Sequence, residues 1–245
     1  MLRLVIFFVC TISVFGQSEV ENISSLLAQK EYRTAKEQAE KLFAAQPTNL
    51  KAQELLGDTY GYLKDWDKAI TIYKNLTELK PYNANYHYKY GGALGMKAKS
   101  VNKLQALMMI NDVEQAFLKA TQLNPKHINA HWALVHYYLY VPGIVGGSNK
   151  KALNYAKKLQ ALSAVDGFLA LGQVSEYKED FKIAETNYKK AVSVGGSKTC
   201  YMHLIDLYVT FEKYQMAVNT LQEAYNKLGD DSFLERISEI KTKID

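Results

Sequence analysis

The sequence predicts an all-α protein: a right-handed superhelical solenoid of about six helical hairpins, closed by a C-terminal capping helix. Three observations carry this. Pro47 and Pro81 stand 34 residues apart (81 − 47), and Pro125 follows after that step plus ten. Each ends one pattern: Ala35-x3-Ala39-x2-Leu42-x4-Pro47, Ala69-x3-Tyr73-x2-Leu76-x4-Pro81 and Val113-x3-Phe117-x2-Ala120-x4-Pro125. A fixed period of this length marks stacked hairpins, because one hairpin cannot bury its apolar face alone. Composition agrees: 48% of the 245 residues are apolar and only 4 are proline.

Residues 1–16 read as a secretory signal peptide. Arg3 gives the positive start, Leu4 to Val14 an apolar run, and Val14-Phe15-Gly16 a peptidase site that places cleavage before Gln17. The expected location is therefore exported, in a periplasm or outside the cell. The alternative is an N-terminal membrane anchor, for which the run falls short of the roughly 20 residues a spanning helix needs. Cleavage leaves Cys200 as the one thiol of the 2 in the chain, so no intramolecular disulfide is expected. Its apolar helical setting reads as a buried, inert thiol.

Residues 17–245 form the solenoid. Its repeats run approximately 17–49, 50–83, 84–127, 128–164, 165–197 and 198–231, followed by a cap at 232–245. Small residues such as Gly57 and Ala69 are expected where the two helices of a hairpin cross. Tyr60 and Tyr73 fill the space beside them, and Pro81 stops the second helix. The fifth and sixth units end on Gly196 and Gly229 instead. In the cap, Phe233, Leu234, Ile237 and Ile240 are expected on one face, because a terminal hairpin needs its outer side covered.

The second unit, Gln53-x2-Leu56-Gly57-x2-Tyr60 followed by Ala69-x3-Tyr73 and Pro81, resembles the tetratricopeptide repeat with only its leading Trp replaced. The other units align on the same positions, so the resemblance covers residues 19–229. It implies a scaffold that binds a protein or peptide partner in the groove lined by the first helices, with no catalysis of its own. The alternative is a periplasmic adaptor or small-ligand component of a transport system. Chaperone-binding members of the family carry a Lys/Asn clamp, but here Glu54 and Asp58 stand at those positions.

The repeat frame sends Asp58, Tyr62, Asn85, Tyr88, Lys89, Asn129, Trp132, His136, Tyr140, Gln173, Tyr177, His203 and Asp206 inward. The partner-binding residues expected among them are Tyr62, Tyr88, Lys89, Trp132, His136, Tyr140 and Tyr177. Aromatic side chains with polar tips suit such surfaces because they give large contact area at low entropic cost.

Two units depart from the period. Eighteen residues separate Leu94 from Val113, against eight between Tyr60 and Ala69, so the second helix of the third unit is expected to start early. In the fourth unit, thirteen residues separate Tyr138 from Ala152 and hold Pro142-Gly143-Ile144-Val145-Gly146-Gly147-Ser148. Both insertions fall between the helices of a hairpin, and the binding site is expected beside them, across the third and fourth units. The loop lacks the Gly-Lys-Ser/Thr of a phosphate-binding loop. Pro142, Gly143, Gly146, Gly147 and Ser148 read instead as a turn that uses positive φ and an N-cap serine.

The remaining chemistry is sparse. His127, His131 and His136 lack a partner carboxylate or cysteine at metal-binding spacing. No catalytic arrangement stands out, and no cofactor or metal is expected. A net charge of +5 is too small to imply nucleic acid.

Overall fold

The computed structural model describes residues 18–244, so the expectation for residues 1–16 lies outside the described residues. The described chain opens in helix α1 (18–28). It continues through α2 (Tyr32–Ala45), α3 (Leu50–Tyr62), α4 (Trp66–Leu79), α5 (Ala84–Ser100), α6 (Lys103–Leu123), α7 (Ile128–Tyr140), α8 (Asn149–Leu162), α9 (Ala164–Tyr177), α10 (Phe181–Gly195), α11 (Lys198–Thr210), α12 (Tyr214–Leu228) and α13 (Ser232–Lys241). Among the described residues there is no strand, and no helix is long and apolar enough to cross a membrane. The chain divides into two compact units between Pro125 and Lys126.

Each unit is built from hairpins with one recurring packing device: a first-helix glycine beneath a second-helix ring. A Cβ on Gly57 would sit 2.8 Å from the Tyr73 ring, one on Gly91 2.9 Å from Phe117, and one on Gly172 2.3 Å from Tyr188. Only glycine lets the helices close on those rings. The cores follow from this. In the N-terminal unit Ile23, Ala35, Ala39, Leu42, Leu56, Ala69, Tyr73 and Leu76 are buried together. In the C-terminal unit Ala184, Tyr188, Ala191, Tyr201, Leu204, Tyr208, Ala217 and Leu221 are. Cys200 is fully buried in that second core.

Turns and caps explain the boundaries. Four hairpins turn through a non-glycine residue in the left-handed region: Lys30 (φ 63), Lys64 (φ 60), Glu179 (φ 58) and Glu212 (φ 55). In each, the next residue's N–H reaches back to a first-helix carbonyl, as Asp65 N–H does to Tyr60 (2.9 Å) and Asp180 N–H to Ser175 (2.9 Å). The third and fourth hairpins carry their insertions at this point. In the third, both helices lengthen: α5 runs to Ser100 and α6 starts at Lys103, capped by Asn102. Asn49, Asn83, Ser163 and Ser197 cap α3, α5, α9 and α11 in the same way, each accepting backbone N–H bonds. Where prolines are missing, Gly196 (φ 57) and Gly229 (φ 65) end the second helices in the left-handed region.

The cap differs from expectation at one residue. Phe233, Ile237 and Ile240 are buried, but Leu234 is exposed. Residues 233, 237 and 240 form a stripe at i, i+4 and i+7, and position 234 lies about 100° off it.

Candidate functional site

The seven expected groove residues fall into two groups. In the N-terminal unit Tyr88 and Lys89 are used within the fold, while Tyr62 is 55% exposed. Tyr62 stacks flat on Tyr32, with ring centroids 4.9 Å apart and planes 4° apart. Tyr88 lies half-buried against Phe117 at 6.1 Å. Lys89 bridges two carboxylates, Glu54 at 2.7 Å and Asp58 at 2.6 Å, and the Tyr73 hydroxyl also donates to Asp58 at 2.6 Å. Asn85 adds a bond to Glu54 at 3.1 Å. Burial pushes the Glu54 carboxyl up, but the hydrogen bond and charge of Lys89, with Lys51 behind them, hold it below its ordinary value. Burial likewise works against the Lys89 ammonium, and Asp58 and Glu54 outweigh it and raise it. The two residues standing where the clamp would be thus form a closed ion network.

In the C-terminal unit the expected residues form a continuous ladder. Trp132, His136 and Tyr140 recur every four residues on α7, so they share one face. The centroids of Trp132 and His136 are 5.5 Å apart, and those of His136 and Tyr140 5.9 Å. Tyr177, at the end of α9, meets Tyr140 edge-on at 5.8 Å. The ladder runs from packed to open. Trp132 packs on the core and donates its indole N–H to Asp166 at 2.7 Å. His136 bonds Gln173 at 2.9 Å. Tyr140 and Tyr177 are 58% and 47% exposed, so the far end offers two free aromatic surfaces.

Three further residues complete this face. The buried Tyr188 donates to Glu176 at 2.6 Å, which holds the phenol well above its ordinary value after burial has already raised it. Burial also pushes the Glu176 carboxyl up; the Tyr188 bond opposes this and the charge of Asp206 reinforces it. His203 on α11 stacks on Tyr188 at 5.4 Å, and burial lowers its ring. Glu176 and Tyr188 escape a reading by helix face because they sit on different helices of one hairpin. The available signal is the repeat register, in which Tyr188 is the counterpart of Tyr73.

The Pro142–Ser148 loop is a self-closed turn. Gly143–Val145 form one 3-10 turn, Val145 and Gly147 N–H both donate to the Pro142 carbonyl (2.9 and 3.2 Å), and Ser148 N–H donates to Tyr138 (2.8 Å). Gly146 has φ 113, and a Cβ on Gly147 would fall 1.7 Å from the Val141 carbonyl oxygen. Ser148 then caps α8 by accepting the Lys151 N–H. Gly146 and Gly147 therefore serve the backbone, whereas a Cβ on Gly143 would meet nothing within 4 Å. His127, one of the three histidines considered for metal, caps α7 through Nδ1, which accepts the Ala130 N–H at 3.2 Å.

No family model and no curated protein matches the chain. Solved structures do. The chain is similar to PilW, described as a type IV pilus biogenesis factor, at 17% identity and a TM-score of 0.65, covering 91% of this chain and 98% of that one. A tetratricopeptide repeat protein from Parabacteroides merdae matches at 13% identity and a TM-score of 0.62, covering 93% and 86%. TTC0263, a thermophilic TPR protein of Thermus thermophilus, matches at 14% identity and a TM-score of 0.56, covering 93% and 99%. The fold is that of the tetratricopeptide-repeat proteins, an all-α helical repeat scaffold.

Proposed function

We propose that this protein is a non-enzymatic scaffold, acting in an exported compartment, that holds a protein or peptide partner on the aromatic face of its C-terminal unit. One observation carries the reading: Tyr140 and Tyr177 stand side by side, about half-exposed, at the open end of a ladder that Trp132 anchors to the core. Exposed tyrosines on a rigid helical support give contact area with little entropy to lose on binding. The polar groups deeper in the ladder are committed to orienting it, Asp166 to Trp132 and Gln173 to His136. The export part of the reading rests on residues 1–16 alone, with Arg3, the Leu4–Val14 run and Gly16.

One isolation tests both parts. Protein recovered from cells is expected to begin near Gln17 and to bring a bound protein with it. Tyr140→Ala with Tyr177→Ala is expected to weaken that capture by about tenfold or more, the effect of losing an interface anchor. Trp132→Ala is a poorer test, because its indole also packs on the core. An intact Met1 would overturn the export reading, and undiminished capture would overturn the binding face.

A further inference from the structure

The second and fifth hairpins both bond a tyrosine that lies over a glycine to a first-helix carboxylate, one residue after the glycine in the second and four after it in the fifth. In the second, Tyr73 lies over Gly57 and donates to Asp58. In the fifth, Tyr188 lies over Gly172 and donates to Glu176. In both, the next first helix leans in. On α5 the residue just before Tyr90 is Lys89; on α11 the residue just before Leu204, the aligned position, is His203. Lys89 supplies the cation to Glu54 and Asp58. His203 supplies none: it stacks on the Tyr188 ring, and burial, with His136 adding and Asp206 opposing, keeps its imidazole below its ordinary value.

Glu176 is thus a half-buried carboxylate that receives a phenol but no ammonium or guanidinium from the described residues. The other carboxylate acting on it, Asp206, already has Arg236 as its counter-ion. Tyr177 follows Glu176 on α9 and meets Tyr140 edge-on at 5.8 Å, and the Glu176 charge acts on the Tyr140 phenol, raising it after burial has done so. A positive group placed there would gain the exposed ring surface of the tyrosine pair and the neutralisation of a desolvated carboxylate. An anionic group would meet repulsion, and a neutral one would leave the carboxylate uncompensated.

We infer that this face takes a cationic side chain of its partner, a lysine ammonium or arginine guanidinium, seated against the exposed surface of the Tyr140–Tyr177 pair with Glu176 as counter-charge. This rests on the reading of the face as the partner site and specifies the chemistry it selects.

The probes are N-acetylated arginine amide and, as a neutral control, N-acetylated norleucine amide, titrated into the whole protein while the ring signals of Tyr140 and Tyr177 are followed by NMR. The arginine probe is expected to shift both rings saturably, and Glu176→Gln to weaken that binding by about fivefold or more. Glutamine still offers an oxygen to Tyr188, so the variant keeps the local packing. An equal response to the norleucine probe, or unchanged arginine binding in Glu176→Gln, would overturn the inference. The capture experiment separates it from the underlying reading. If Glu176→Gln retains the partner while the tyrosine pair loses it, the face binds but the cation assignment is wrong. If neither change matters, the face itself is wrong.

Discussion

Gly167→Ala is expected to destabilise the C-terminal unit by about 3 kcal/mol, the upper part of the range for overpacking a close helix contact. A Cβ at this position on α9 would lie 2.1 Å from Cα and 2.6 Å from the backbone nitrogen of Gln160 on α8. Backbone cannot swing aside as a side chain can, so the two helices must separate. The gain in helix propensity from Gly to Ala, about 1 kcal/mol, offsets only part of this. Gly92→Ala on α5 is the control, since a Cβ there meets nothing within 4 Å. It should be neutral or stabilising by up to about 1 kcal/mol. Urea denaturation of both variants checks the pair, and equal midpoints would show that the α8–α9 approach is not as close as described.

Lys89→Met is expected to cost about 2 kcal/mol at neutral pH. Its ammonium is flanked by Glu54 and Asp58 at 2.7 and 2.6 Å, and all three side chains are at most 23% exposed. Removing the cation strands two desolvated carboxylates, a loss larger than the net worth of the ion pair. The pH dependence has a definite sign. Glu54 is held below its ordinary value, so its contribution is complete above the unfolded carboxylate range and is lost as pH falls through the lowered folded value. Lys89 is held above its ordinary value, so its contribution is lost as pH rises through that value. The gap between wild type and variant should therefore be widest near neutrality and narrow toward both acid and alkali. Urea midpoints measured across pH check this; a gap independent of pH would mean that Lys89 acts through packing alone.

Much of the fold was legible because its cause is local and periodic. A proline closing each of the first three hairpins, glycine beneath an aromatic ring, and alanine at the crossings are local features that recur between hairpins. The face of each first helix was legible for the same reason: Trp132, His136 and Tyr140 are four residues apart, and helical geometry alone aligns them. What the period could not supply was which side chains of successive hairpins meet. Lys89 reads as an inward-facing cation, yet it is consumed by Glu54 and Asp58 from the preceding hairpin. Tyr62 reads as a groove residue, yet Tyr32 covers one of its faces. Glu176 was not legible as a site residue, since its significance comes from Tyr188 on the partner helix and from His203 replacing a lysine in the frame. The lengthening of α5 to Ser100 was likewise hidden, because Lys97, Ala98 and Lys99 are good helix formers that also read as an insertion.

The central claim is that the aromatic face of the C-terminal unit is where the partner sits. Site-specific photocrosslinking in intact cells tests it most directly. A benzophenone side chain placed at Tyr140 or Tyr177 should yield one discrete crosslinked protein. The same group at Tyr82, which is 83% exposed in the N-terminal unit, should yield none. A discrete product at Tyr82 with nothing at Tyr140 or Tyr177 would contradict the account and move the binding surface to the other unit.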